Sequence, residues 1–353
     1  MMINSILYVP GILIMDRYNG AIMSLVLGTL IGSILLFVFT GVMRKFPGQG
    51  LPEIYKTRLP KYAYMPLLIF SGTISFTAGA LVLLNFAFII SRYLNPRTPM
   101  ALLLLLFVSV VCFGALQASK TVLYMVEIML ILSLPLLVFL IIKAITNKQM
   151  NYDSVQVILD YTWMLPSWKS LSVSTYSFVG YLSLSILNRV FTHSQAIRFR
   201  WLIPMLCFLM LSSAFIVPIG TLGTDGSNDY IFTWVSTAEA IQMKYAFIDH
   251  VVYIFLLLFL SITFLYSIVT WHIGAEAISG CLKRDKPNVS SVNKVLPNAI
   301  SCGLIAVVTI IAGTTLGEDD IYQVCSTWMS VRLPIDAFIV LIAYIVSKRR
   351  AVL

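Results

Sequence analysis

Glu127 stands inside the apolar run Val122-Leu-Tyr-Met-Val-Glu-Ile-Met-Leu-Ile-Leu132. A carboxylate at bilayer depth is costly. It persists either as a neutralised structural acid or because it gates an ion or a proton. Lys120, seven residues earlier, falls on a similar helical face and is available to pair with it. A second group is made of hydroxyls. The block from Leu171 to Ser183 carries Ser172, Ser174, Thr175, Tyr176, Ser177, Gly180 and Ser183 among apolar neighbours. Such residues either let helices pack closely or line a break whose freed backbone groups bind a solute. Gly180 is the natural place for that break, because glycine accepts backbone shapes that other residues resist. Ser177, Phe178 and Gly180 would then meet the polar ends of a small molecule. Asn4, Ser5, Ile6 and Leu7, which open the first apolar block, would do the same from the facing segment, and half-helix N-termini there would favour a carboxylate.

Thr263, Ser267, Thr270 and Gly274 recur on one helical face and either line a cavity or form a tight seam. Asp336 follows Pro334 at the start of the last block, where Arg332 is placed to satisfy it. Asp249, His250 and His272 fall near block ends, within reach of water. Catalysis there would need a nucleophile beside a histidine in an aqueous cavity, and the sequence shows no such pairing. GxGxxG, Walker, HExxH and GxSxG patterns are absent. The chain is therefore not expected to be an enzyme or an ATP-driven pump. The five cysteines are scattered without CxxC spacing, so neither disulfides nor a metal site is expected, and no cofactor is implied.

The elements that must position these groups are membrane helices. Of the 353 residues, 59% are hydrophobic and only 11% charged, and mean hydropathy is +0.91. A soluble domain of this size needs a more polar skin. Apolar blocks near 3–15, 19–43, 63–91, 99–117, 121–145, 171–190, 201–220, 247–275, 297–315 and 333–347 read as ten spans within a single transmembrane domain, 1–353. The first block is too short to cross a bilayer. Either an upstream segment completes it or this is a shortened form that keeps one half-helix. No basic segment precedes it, so a cleaved signal peptide is not expected.

With the C-terminus cytoplasmic, all but eight of the 24 lysines and arginines face the cytoplasm. The eight are Arg17, Arg92, Arg97, Lys143, Lys148, Lys169, Lys244 and Arg332. This bias supports the orientation and accounts for the net charge of +9 without nucleic-acid binding. Five spans in each half, about 1–145 and 171–347, would run in opposite directions, the arithmetic of a 5+5 inverted-repeat transporter bundle.

Several ordered segments resemble the spore germination permease family, within the amino acid–polyamine–organocation transporter superfamily. Leu7-Tyr-Val-Pro-Gly-Ile is similar to its first-span segment, and Phe46-Pro-Gly-Gln-Gly-Leu-Pro-Glu-Ile to its loop after span two. Arg97-Thr-Pro and Gly114-Ala-Leu-Gln-Ala-Ser-Lys resemble the segments that open and close span four. Ser177-Phe-Val-Gly-Tyr resembles its sixth span and Arg332-Leu-Pro its C-terminal region. Three positions depart from the pattern: Asn4 and Ser5 stand where family members unwind at glycines, and Lys120 replaces a common arginine. The resemblance implies a germinant receptor subunit in the spore inner membrane that works with A-type and C-type subunits and senses a small nutrient such as an amino acid. A proton- or sodium-coupled amino-acid transporter of the plasma membrane is the alternative. In either case Glu127 is the candidate for ion or proton coupling.

Overall fold

A computed structural model describes residues 6–94, 96–147, 150–191, 199–241, 251–282 and 291–349. Among them every regular element is a helix. In chain order these are α1 (Val9–Met15), α2 (Ala21–Met43), α3 (Leu51–Arg58), α4 (Lys61–Tyr93), α5 (Met100–Ala115), α6 (Ser119–Ile145), α7 (Tyr152–Leu159) and α8 (Trp168–Tyr176). A 3-10 turn (Val179–Ser183), α9 (Leu184–Leu187) and a second turn (Asn188–Val190) follow. The rest are α10 (Leu202–Leu222), a further 3-10 turn (Gly226–Asp229), α11 (Thr233–Ala240), α12 (Val251–Leu282), α13 (Ser291–Thr315) and α14 (Glu318–Lys348).

Seven of the described helices, α2, α4, α6, α10, α12, α13 and α14, are long and apolar enough to cross a membrane. Counted as one span, the pair formed by α8 and the stretch Val179–Val190, bent by 50°, makes an eighth. At 16 residues α5 is shorter than these. The block expected at 3–15 contributes the seven-residue α1, whose Val9–Ile14 are all buried. The helices are apolar all round rather than amphipathic, which suits lipid outside and packed neighbours inside. α6 shows this most plainly, with Ile128, Ile131 and Leu132 each about two-thirds exposed. Polar termini are handled locally: Glu53 reaches back to the Gly50 amide at the start of α3 (2.8 Å), and Asp320 to the Gly317 amide at the start of α14 (3.0 Å).

The last helix departs from expectation. Pro334 reads as the start of a span, yet α14 begins at Glu318 and runs straight through it. Arg332 is therefore not an extramembrane charge of a loop. It lies 14 residues into a 31-residue helix, about 20 Å from either end at 1.5 Å per residue. Glu318, Asp319 and Asp320 form the first turn of the same helix.

Two close helix contacts set the frame. α8 lies on α2 where Gly28 and Gly32 stand: a Cβ at Gly28 would meet Ser174 at 2.4 Å, and one at Gly32 would meet the Phe178 ring at 2.6 Å. α4 and α12 approach through Gly79, against Thr270 and Trp271, and through Gly274, against Phe76. Small residues at such crossings let backbones come near enough for side chains on both sides to interlock.

Candidate functional site

The block expected to be the sixth span bends at Ser177–Phe178, between Tyr176 and Val179, rather than at Gly180. Gly180 sits inside the 3-10 turn and is not among the glycines with positive φ. The kink thus needs no special glycine conformation; it comes from tightening of the helix after α8. The start of α8 is fixed by Asp16, just past α1, whose carboxylate accepts from Ser167 and Ser170 hydroxyls at 2.5 Å each. α1 is held in turn by the Tyr8 hydroxyl, which donates to Asn85 Oδ1 of α4.

The middle of α14 docks on α8. A proline has no N–H, so Pro334 leaves the Ser330 carbonyl without its helical donor. Trp168 Nε1 of α8 donates to that carbonyl at 3.0 Å. One turn along, the Ser172 hydroxyl donates to Met329 O (2.5 Å) and accepts from Leu333 N (3.2 Å). Backbone groups loosened at membrane depth must find partners within the protein, and α8 supplies them.

Arg332 lies in this interlock, 3% exposed. Its Nε pairs with the Asp336 carboxylate at 2.9 Å. The Tyr176 and Trp328 rings lie 5.8 and 5.4 Å from its guanidinium carbon, and the Tyr176 hydroxyl meets that of Tyr266 on α12 at 3.2 Å. Arg332 Nη1 is buried and has no hydrogen-bond partner, and neither have the hydroxyls of Ser174, Ser177, Tyr181 and Thr263. Buried polar atoms are nearly always paired. Ser174, Ser177 and Tyr181 fall within a few residues of the break, and Arg332 lies against Tyr176 beside it.

Of the residues singled out in the sequence, Ser177 and Phe178 form the break, and Ile6 and Leu7 are buried in the core that includes α1. Asn4 and Ser5, with Asp249 and His250, lie outside the described residues. The face of α12 divides. Thr263 is buried with its hydroxyl unpartnered. Ser267 instead donates to Gly79 O of α4 (3.2 Å); Thr270 donates within its own helix to Tyr266 O (2.9 Å) and packs against Gly79, so both lie in the seam with α4. Glu127 is exposed on the outer face of α6, about 12 Å from its start. Lys120 lies over the Tyr124 ring (5.8 Å) rather than against Glu127. The structure does not bring Glu127 to the break.

Arg332 and Asp336 carry more than the sequence reading gave them, and that reading missed Asp16 and Trp168. A signal was present: between Ile321 and Ser347 the only charges are Arg332 and Asp336, four residues apart with apolar chain on both sides.

A second charged cluster lies at the end of the bundle that holds the C-terminus. Arg189 pairs with Glu53 (2.7 Å) and with Glu276 of α12 (2.6 Å), and Asn298 of α13 donates to Glu276 at 2.6 Å. Nearby, Arg58 of α3 donates to Ser347 O at the end of α14 (3.0 Å). His272 is buried between the Ala115 carbonyl and the Ser119 hydroxyl, each at 2.8 Å, which ties α12 to the turn between α5 and α6. Among the described residues no group of histidine, cysteine and carboxylate side chains is set to hold a metal ion.

No curated protein matches the chain at a significant level. The family model of the spore germination proteins, the spore permeases, matches residues 1–315, nearly nine-tenths of its length. With its several long apolar helices, the chain is a multi-pass membrane protein that belongs to the spore germination protein family.

Proposed function

We propose that the chain is a nutrient-sensing subunit of a germinant receptor in the spore inner membrane, with a cytoplasmic C-terminus and A-type and C-type subunits as partners. A small nutrient, an amino acid or similar solute, binds where the first and sixth spans come together, between two inverted halves of about 1–145 and 171–347. This arrangement is that of the amino acid–polyamine–organocation transporters. The observation that carries the reading is the bent sixth span with buried hydroxyls left without partners. Membership of the spore germination family supports it, and the distribution of lysine and arginine supports the orientation.

Binding triggers germination by population shift: the nutrient must prefer one arrangement of the helices over another. A 100-fold preference corresponds to about 2.7 kcal/mol, within the usual range of coupling energies. Ser177→Leu fills the break with an apolar side chain. Spores carrying it are expected to keep the protein at its normal level on immunoblots and to lose the nutrient response; an unchanged response would overturn the reading. Gradient-driven amino-acid uptake into proteoliposomes would instead favour a plasma-membrane transporter.

A further inference from the structure

We infer that Arg332 anchors the carboxylate of a zwitterionic amino acid at the break in the sixth span, an inference that rests on the nutrient-binding reading above. A guanidinium carries five N–H donors in a planar fork. Asp336 engages it through Nε, and Nη1 is buried without a partner. Tyr176, the last residue of α8 before the break, and Trp328 lie beside the group. Guanidinium groups take carboxylates edge-on through neighbouring N–H groups, which a lysine cannot reproduce.

Charge narrows the ligand class further. Arg332 and Asp336 together are neutral in a buried setting, so a lone anion would leave the site with an uncompensated charge. A zwitterion brings its own cation. The unpartnered hydroxyl oxygens of Ser177 and Tyr181 are available as acceptors for its ammonium group. A purely structural role has a different signature. The carbonyls at the C-terminal end of α8 favour any nearby cation, so lysine would serve there nearly as well as arginine.

The test uses the full-length protein in lipid nanodiscs. Each L-amino acid is screened by thermal shift and those that bind are titrated by calorimetry. Beside them run the primary amide of each binder, acetate, glucose and inosine. The expected result is that at least one amino acid binds, that its amide and acetate bind about 10- to 100-fold more weakly, and that Arg332→Lys removes the preference for acid over amide. Equal binding of acid and amide by the unaltered protein overturns the inference, and this comparison needs no variant to fold. An acid preference that survives in Arg332→Lys overturns it as well. Binding of glucose or inosine with no amino acid bound keeps a nutrient site but removes the carboxylate anchor. Binding of none of these probes contradicts the nutrient-binding reading itself and the anchor with it.

Discussion

The two charged clusters follow opposite rules. At the end of the bundle, Arg189 draws Glu53, Glu276 and, through Glu276, Asn298 into one network spanning α3, the sixth span, α12 and α13. Its side chains keep some contact with solvent, 22% for Arg189 and 43% for Glu53, and each charge has a partner. Midway along α14, Arg332 and Asp336 sit one turn apart, each 4% exposed, with part of the guanidinium unmatched. The first cluster joins elements. The second pairs two residues of α14 with each other and touches α8 through the Tyr176 ring, so the ion pair itself adds little to assembly while its desolvation cost is large. An arrangement that costs stability and leaves a donor free makes sense where a bound molecule completes it.

Breaking each cluster sharpens this contrast. The largest effect is expected from Arg332→Gln or Asp336→Asn alone, because removing one partner strands a buried charge at a cost of about 3–5 kcal/mol. Both should lower the unfolding temperature and the yield of monodisperse protein. Replacing the two together, Arg332→Met with Asp336→Leu, removes both charges and should restore stability to the parent level or above while abolishing the nutrient-induced thermal shift. A double variant as unstable as the singles would show that the pair holds the fold together.

Next in size is the interlock between α8 and α14. Ser172→Ala removes a bridge to two backbone groups and should cost about 1–3 kcal/mol. Trp168→Phe should cost less in a Pro334→Ala background, where an N–H is regained for the Ser330 carbonyl. A double-mutant cycle on unfolding temperature reads that coupling directly. Additive effects would mean that Trp168 does not stand in for the donor that proline lacks.

Arg189→Gln should cost less, about 1 kcal/mol or below, because partly exposed pairs are screened, and the loss should shrink as salt is raised. Glu127→Gln is expected to be the mildest, within about 0.5 kcal/mol, with nutrient binding intact, since Glu127 is exposed on α6. Ligand-triggered conductance lost in Glu127→Gln with binding retained would instead show that ion coupling runs along the outer face of α6.

The helical membrane fold was legible in the sequence because apolar length is a strong, local signal, and hydroxyls in the run Leu171–Ser183 pointed to the broken span. What the sequence did not disclose was non-local. Gly180 was the obvious hinge by residue type, but the bend falls at Ser177–Phe178, where the helix tightens into a 3-10 turn beside the close contact of Ser174 and Phe178 with Gly28 and Gly32 of α2. Pro334 looked like a helix boundary because its missing donor normally has to be answered by water. Here Trp168, more than 160 positions away, answers it. Once that boundary was misplaced, Arg332 counted as a loop charge. Ser267 and Thr270 shared a face with Thr263, yet only packing against Gly79 decides which hydroxyls are used up in a seam.

The most direct test of the account is a cryo-electron microscopy structure of the full-length protein in nanodiscs with a stabilising amino acid present. The account predicts ligand density at the break between Tyr176 and Val179, with the carboxylate within hydrogen-bond distance of Arg332. Density at another site, with Arg332 still packed as it is without ligand, would contradict it.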